Sequence, residues 1–173
     1  MVLIRLLTGR THTGKTLLAQ RLLERHGAPY LSIDHLKMGL IRSGMCPLTP
    51  ESTDEALTAV LWPVVREIVK TAVENGQSLT VEGCYIPFNW REDFDASCLP
   101  HIRFLCLVFS EAYIRTRFDT IQTHANAIER RKDDSFCTME LLLAENRRNL
   151  EACRRRGLPY YLIDGPYAPP LDW

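Results

Sequence analysis

The chain has 173 residues, of which 46% are hydrophobic and 24% are charged, and this composition is typical of a soluble globular protein with a full core. Lys plus Arg and Asp plus Glu both number 21, so the formal net charge is zero. A neutral chain offers no overall charge that would attract nucleic acid or an anionic membrane.

The apolar runs of the sequence are strand-sized, and none approaches the ~20 residues of a membrane-spanning helix. The six cysteines form no CxxC pair and no Cys/His metal spacing, which favours free thiols in a reducing compartment. No low-complexity tract or linker interrupts the sequence. We therefore expect one cytoplasmic domain, residues 1–173, that binds neither nucleic acid nor a membrane.

The first predicted strand, residues 2–8, leads into the segment Gly-Arg-Thr-His-Thr-Gly-Lys-Thr at residues 9–16, followed by a helical pattern. Glycines let the backbone curl so that successive N–H groups point into one concavity, and the helix start favours anions. In this phosphate-binding pattern Lys15 reaches the β- and γ-phosphates, and the Thr16 hydroxyl can ligate Mg²⁺. The sequence predicts a nucleoside triphosphate site made of Gly9, Arg10, Thr11, His12, Thr13, Gly14, Lys15, Thr16 and Leu17.

The second predicted strand, residues 29–33, ends at Asp34. This Asp has two interpretations, a helix N-cap or a general base that accepts the proton of an acceptor hydroxyl, and both roles are compatible. A long helix is predicted from Thr49-Pro50-Glu51 to Asn75-Gly76. Pro63 is expected to kink this helix or to split it in two.

The third predicted strand, residues 78–82, ends at Glu82-Gly83. Glu82 either caps the strand end or orders the water shell of Mg²⁺. Tyr85 belongs to an aromatic cluster with Phe88 and Trp90, for which core packing is the default and a wall that stacks on the acceptor is the alternative.

The fourth predicted strand, residues 102–109, is followed by a helix start at Ser110-Glu111, and a last helix of about residues 138–156 precedes a fifth strand at 159–163. The cations between the fourth strand and the last helix are either a solvated face or a source of at least one Arg that stabilises a phosphoryl group during transfer. Arg117 and Arg130 are the leading candidates among Arg115, Arg117, Arg130, Arg131 and Lys132.

Apolar runs alternate with helical patterns along the chain, which predicts a parallel sheet with helices on both faces. Asp34, Glu82 and the phosphate-binding loop each follow a predicted strand. Ligands bind at the carboxyl edge of such a sheet, so these three segments should meet at one site.

These motifs resemble those of the small P-loop kinases, the group of adenylate kinase, shikimate kinase and the zeta toxins, over nearly the whole chain. The resemblance implies a three-layer α/β P-loop NTPase fold with a five-stranded parallel sheet of order 2-3-1-4-5. It also implies a mobile lid after the fourth strand, at about residues 115–134.

The resemblance also implies roles for individual residues. Lys37 stands where adenylate kinases have a phosphate-binding Arg, and Glu82-Gly83 resembles their Asp-Gly, whose carboxylate positions Mg²⁺ through water. Arg117 matches an Arg that packs over the nucleotide, and Gly165 to Tyr167 resembles the loop whose backbone recognises adenine. Lys37 and Arg42 would both face the acceptor, together with Asp34, Glu82 and Tyr85.

One departure from the family pattern bears on the acceptor. Nucleoside monophosphate kinases follow Asp-Gly with Phe-Pro-Arg, whereas this chain has Cys84-Tyr85-Ile86 after Gly83. The missing guanidinium removes a charge-assisted contact to an acceptor phosphate, which disfavours a monophosphate and favours a hydroxyl of another small molecule.

The sequence thus predicts an ATP- and Mg²⁺-dependent kinase for a small-molecule acceptor, with Lys15, Asp34, Arg117 and Arg130 in catalysis. Three alternatives stay open: a nucleotide-sugar kinase like the zeta toxins, a nucleoside monophosphate kinase, and a non-catalytic ATP-binding regulator. A GTPase is not indicated, because the sequence has no guanine-reading N-K-x-D segment.

Overall fold

The computed structural model of the chain describes residues 2–123 and 137–173. Part of the predicted lid, including Arg130, lies outside the described residues. The strands are β1 (Ile4–Gly9), β2 (Tyr30–Ser32), β3 (Leu79–Glu82), β4 (Ile102–Phe109) and β5 (Tyr160–Ile163). The helices are α1 (Lys15–His26), α2 (Ile33–Arg42), α3 (Asp54–Glu74), α4 (Glu111–Thr123) and α5 (Met139–Arg156).

The five strands form one parallel sheet of order β2-β3-β1-β4-β5, which confirms the predicted fold. In the register between β1 and β3, Leu7 lies opposite Glu82, and in that between β2 and β3, Ser32 lies opposite Glu82. The carboxyl ends of β1, β2 and β3 therefore lie side by side. This arrangement brings the phosphate-binding loop, Asp34 and Glu82 to the same edge of the sheet.

Two hydrophobic cores cover the two faces of the sheet, one formed mainly with α3 and the other with α1, α4 and α5. The period-2 alternation of β4 divides its side chains between them, as expected for a strand buried on both faces. The first core contains Phe104, Cys106 and Val108, and the second contains Leu105, Leu107 and Phe109.

The long helix begins later than predicted, and Pro63 does not split it. It begins at Asp54 and not near Pro50, because the Thr53 side chain accepts a hydrogen bond from the Ala56 N–H and caps the helix there. Pro63 lies inside a continuous helix. Its ring is exposed, so water can solvate the Ala59 carbonyl that loses its N–H partner, and the helix is not split.

None of the six cysteines, which all lie within the described residues, forms a disulfide bond. Within residues 2–123 and 137–173, no helix is long and apolar enough to cross a membrane.

Candidate functional site

The phosphate-binding loop depends on two glycines that no other residue could replace without strain. Gly9 has φ 147°, and a Cβ there would lie 2.6 Å from the Leu107 carbonyl oxygen. Gly14 is the N-cap of α1 with φ 80°, and a Cβ there would lie 2.7 Å from the Tyr167 hydroxyl. His12 also has a positive φ, of 68°. The loop thus turns through conformations that let its N–H groups face one concavity.

Lys15 is the first residue of α1, and it is buried. Its Nζ donates a 2.9 Å hydrogen bond to the carbonyl oxygen of Arg10. The Thr13 hydroxyl donates to the same oxygen at 2.8 Å. The ammonium group therefore lies within the curl of the loop, close to where polyphosphate binds in this motif.

Thr16 and Glu82 meet beside the loop, where the Thr16 Oγ1 lies 3.4 Å from the Glu82 Oε1. Glu82 ends β3 and is only 1% exposed. A buried carboxylate and a hydroxyl at the edge of the sheet are hard oxygen donors, which Mg²⁺ prefers. The two side chains therefore fit a magnesium site that keeps several of its waters.

Three of the side chains that were predicted to face the acceptor form a network, and they lie on α2 and directly after β3. The Lys37 Nζ donates to the Asp34 Oδ1 at 2.7 Å and to the Tyr85 hydroxyl at 3.0 Å, and it lies 5.1 Å from the centre of the Tyr85 ring. Asp34 lies in the first turn of α2. The side chain of Lys37 is 13% exposed and that of Asp34 is 41% exposed, so the carboxylate is the accessible member.

The network determines how its members are charged. Burial is the largest single influence and opposes the charged form of Lys37, but the charge of Asp34 and the hydrogen bonds to Asp34 and Tyr85 together raise the pKa of Lys37. Burial raises the pKa of the Tyr85 hydroxyl. At neutral pH Lys37 is therefore an ammonium ion held by Asp34, and Tyr85 is a neutral phenol.

Arg42 and Cys84 lie between Lys37 and Tyr85 in the sequence, and neither is a member of this network. Arg42 is exposed at the last position of α2, about two helical turns from Asp34, and so stands apart from the network. Cys84 follows β3, between Glu82 and Tyr85 in the sequence. Burial raises the pKa of Cys84, so its thiol stays neutral.

Arg117 and Gly165, both predicted to contact the nucleotide, line one cavity of about 430 Å³ between α4 and the loop after β5. Arg117 departs from helical geometry, with φ −130° and ψ 20°, so α4 kinks at this residue. The wall of the cavity also contains Asp164, whose carboxylate accepts a hydrogen bond from Ser110.

Tyr167, predicted to bind the nucleotide, contacts the phosphate-binding loop itself. Its hydroxyl donates a 2.7 Å hydrogen bond to the carbonyl oxygen of Gly14, and the guanidinium of Arg21 lies 5.5 Å from its ring centre. Burial raises the pKa of Tyr167, which keeps the hydroxyl protonated as a donor. The ring thus covers the start of α1.

The Arg10 side chain makes contacts that the sequence did not indicate. Its guanidinium pairs with Asp54 at 2.5 Å and also with Glu145. These partners are 44 and 135 positions away along the chain, so no local pattern could reveal the pairing.

No protein-family model and no curated protein sequence matches the chain. Solved structures do match. A gluconokinase from Sinorhizobium meliloti 1021 is 20% identical with a TM-score of 0.54, covering 98% of this chain and 85% of its own. A Chloroflexus aurantiacus J-10-fl protein with a provisional kinase assignment is 20% identical with a TM-score of 0.59, covering 99% and 93%. Sequence identities of 20% support a shared fold and no more than that. Together with the sheet order and the glycine loop, they show that the chain has the fold of the small P-loop kinases.

Proposed function

We propose that the protein transfers the γ-phosphoryl group of ATP, with Mg²⁺, to a hydroxyl group of a small, unphosphorylated acceptor. The observation that carries this proposal is the position of the Asp34 network beside the phosphate-binding loop, with Glu82 between them at one sheet edge. A base, a phosphate cradle and a metal-binding carboxylate are the parts that phosphoryl transfer needs.

The nucleotide end would bind ATP through the loop N–H groups, the start of α1 and Lys15. Lys15 would exchange its hydrogen bond to the Arg10 carbonyl for the β- and γ-phosphates. Mg²⁺ would be held at Thr16 and by waters on Glu82, where its charge neutralises phosphate oxygens. Arg117 and Gly165 would contact the nucleoside from the cavity beside α4.

The chemical step would be an in-line displacement at the γ-phosphorus. The acceptor oxygen forms a bond to phosphorus, the bond to the β,γ-bridging oxygen breaks, and ADP leaves. Asp34 would accept the hydroxyl proton, because its carboxylate is the accessible member of its network. Lys37 would keep that carboxylate oriented, since it already spans Asp34 and Tyr85.

Two residues, Ile86 and Lys37, support an acceptor that carries no phosphate group. Ile86, which stands where nucleoside monophosphate kinases have an Arg, is 2% exposed within a hydrophobic core. Lys37, predicted as a phosphate ligand, is committed to Asp34 and Tyr85. A phosphate on the acceptor would place further negative charge beside the Asp34 carboxylate, which Lys37 already neutralises, whereas a neutral polyol would not.

The test is ADP release from ATP–Mg²⁺ in the presence of acceptor pools, with neutral sugars and polyols, sugar acids, nucleotide-sugars and nucleoside monophosphates kept separate. We expect turnover with an unphosphorylated pool, and no turnover by a Lys15→Met variant. Turnover with monophosphates alone would overturn the argument from Ile86 but leave a kinase. ATP binding without turnover in any pool would favour the non-catalytic regulator.

A further inference from the structure

Arg10 connects three segments of the site through one guanidinium. It belongs to the phosphate-binding loop, and it pairs with Asp54 at the start of α3 and with Glu145 on α5. Helix α3 packs against α2, which carries Asp34, and α5 packs against α4, which carries Arg117. The loop is therefore tied to both walls of the candidate site.

The backbone of the same residue organises the loop from within. The Arg10 carbonyl oxygen accepts hydrogen bonds from the Thr13 N–H at 3.3 Å, the Thr13 hydroxyl at 2.8 Å and the Lys15 ammonium at 2.9 Å. Arg10 therefore contacts α3 and α5 through its side chain and stabilises the curl of the loop through its carbonyl oxygen.

These ion pairs are partly shielded from solvent, which makes them stronger than pairs at an open surface. The side chain of Arg10 is 20% exposed, that of Glu145 is 14% exposed, and that of Asp54 is 41% exposed. Burial opposes the charge on Arg10, but the hydrogen bond that Arg10 donates to Glu145 leads the contacts that raise its pKa overall. The guanidinium thus stays charged and faces two carboxylates.

We propose that Arg10 is a positioning residue, which fixes the phosphate-binding loop relative to α3 and α5 and so sets the geometry that Lys15 and the loop N–H groups offer to ATP. This inference rests on the proposed function, because ATP binding at the loop is part of it. Arg10 acts in this way through the loop and not by contact with the substrate.

Neutralising the two carboxylates distinguishes positioning from simple electrostatics. Asp54→Asn and Glu145→Gln each remove a negative charge near the polyphosphate site, so electrostatics alone predicts tighter ATP binding. A positioning role predicts weaker binding, because each variant removes one of the two ion pairs of Arg10 and leaves the loop less firmly held. The two mechanisms therefore give effects of opposite sign.

The experiment measures the dissociation constant of ATP–Mg²⁺ by titration calorimetry, together with thermal unfolding, for Asp54→Asn, Glu145→Gln, their combination and Arg10→Lys. Arg10→Lys keeps the charge but loses the planar guanidinium, which offers one nitrogen to Asp54 and another to Glu145. The control is Asp172→Asn, which breaks the exposed pair of Asp172 with Arg25 away from the loop.

We expect each single variant to weaken ATP binding several-fold, the combination to weaken it by roughly 10²-fold at most, and the control to leave it unchanged. Tighter binding, or changes no larger than those of the control, would overturn the proposal. So would losses that merely follow a lowered unfolding temperature. Weak binding in these variants combined with no turnover by the parent enzyme would support positioning while removing the kinase assignment.

Discussion

The nucleotide end and the acceptor end of the candidate site are held in place by different kinds of interaction. The nucleotide end is shaped by backbone, since Gly9 and Gly14 turn the chain and the start of α1 supplies free N–H groups. The acceptor end is shaped by side chains, since Lys37 orients Asp34 and is itself held by Tyr85. The loop depends on side chains where Arg10 pairs with α3 and α5, whereas the acceptor end depends on side chains throughout.

This difference between backbone and side-chain interactions also determines what each end can recognise. Phosphate is common to all nucleoside triphosphates, and backbone N–H groups bind it without regard to the rest of the ligand. The acceptor must be distinguished from other small molecules, which requires polar side chains with fixed partners. Mutations that affect one end and spare the other test this division.

The largest expected effect is that of Asp34→Asn at the acceptor end. If Asp34 is the general base, acceptor-dependent turnover should fall by roughly 10²- to 10⁴-fold, while the affinity for ATP–Mg²⁺ stays close to that of the parent. Steady-state kinetics and calorimetry measure the two quantities. Lys37→Met keeps the carboxylate but loses its orientation, so its loss of turnover should be smaller. Full turnover by Asp34→Asn would falsify the general-base role.

Lys15→Met should produce the complementary result at the nucleotide end. Loss of a charge-assisted contact to phosphate is expected to weaken ATP–Mg²⁺ binding by roughly 10- to 100-fold. Lys70→Met is the matched control, because Lys70 lies on the exposed side of α3 and pairs with Glu67. Equal ATP affinities for the parent and Lys15→Met would contradict the assignment of the loop.

The same division explains how far the sequence could predict the molecule. The loop from Gly9 to Thr16 is a local pattern, and alternating apolar runs predict a parallel sheet, whose strand order the resemblance implies. The Arg10 pairs were not predictable, because Glu145 is 135 positions away and complementary charge alone does not choose a partner. Lys37 was predicted as a phosphate ligand, but its commitment to Tyr85 depends on how α2 packs beside β3.

A smaller effect is expected from pH, again at the acceptor end. The pKa of Lys37 is raised by Asp34 despite burial, and that of Tyr85 is raised by burial. The folded protein therefore holds both protons more tightly than the unfolded chain does. Their contribution to stability is complete below the unfolded pKa values of about 10 and is lost as the pH rises further.

A Lys37→Met/Tyr85→Phe double variant removes both groups. Between about pH 9 and pH 11 the unfolding temperature of the parent should fall by roughly 2–4 °C more than that of the variant. Circular dichroism melts measure this difference. Parallel pH profiles for the two proteins would show that neither proton is held more tightly on folding.

The smallest expected effect is that of Tyr167→Phe, and it tests the tolerance of the nucleotide end directly. The variant loses the hydroxyl that donates to the Gly14 carbonyl, but that oxygen also accepts from the Leu18 N–H at 2.9 Å and so is not left unpaired. The ring remains over Gly14 and beside Arg21. We expect ATP affinity to fall by about two- to fivefold, the size of one neutral hydrogen bond. A loss as large as that of Lys15→Met would mean that the Tyr167 hydroxyl, in addition to the Arg10 ion pairs, holds the loop in shape, and the contrast between the two ends would no longer stand.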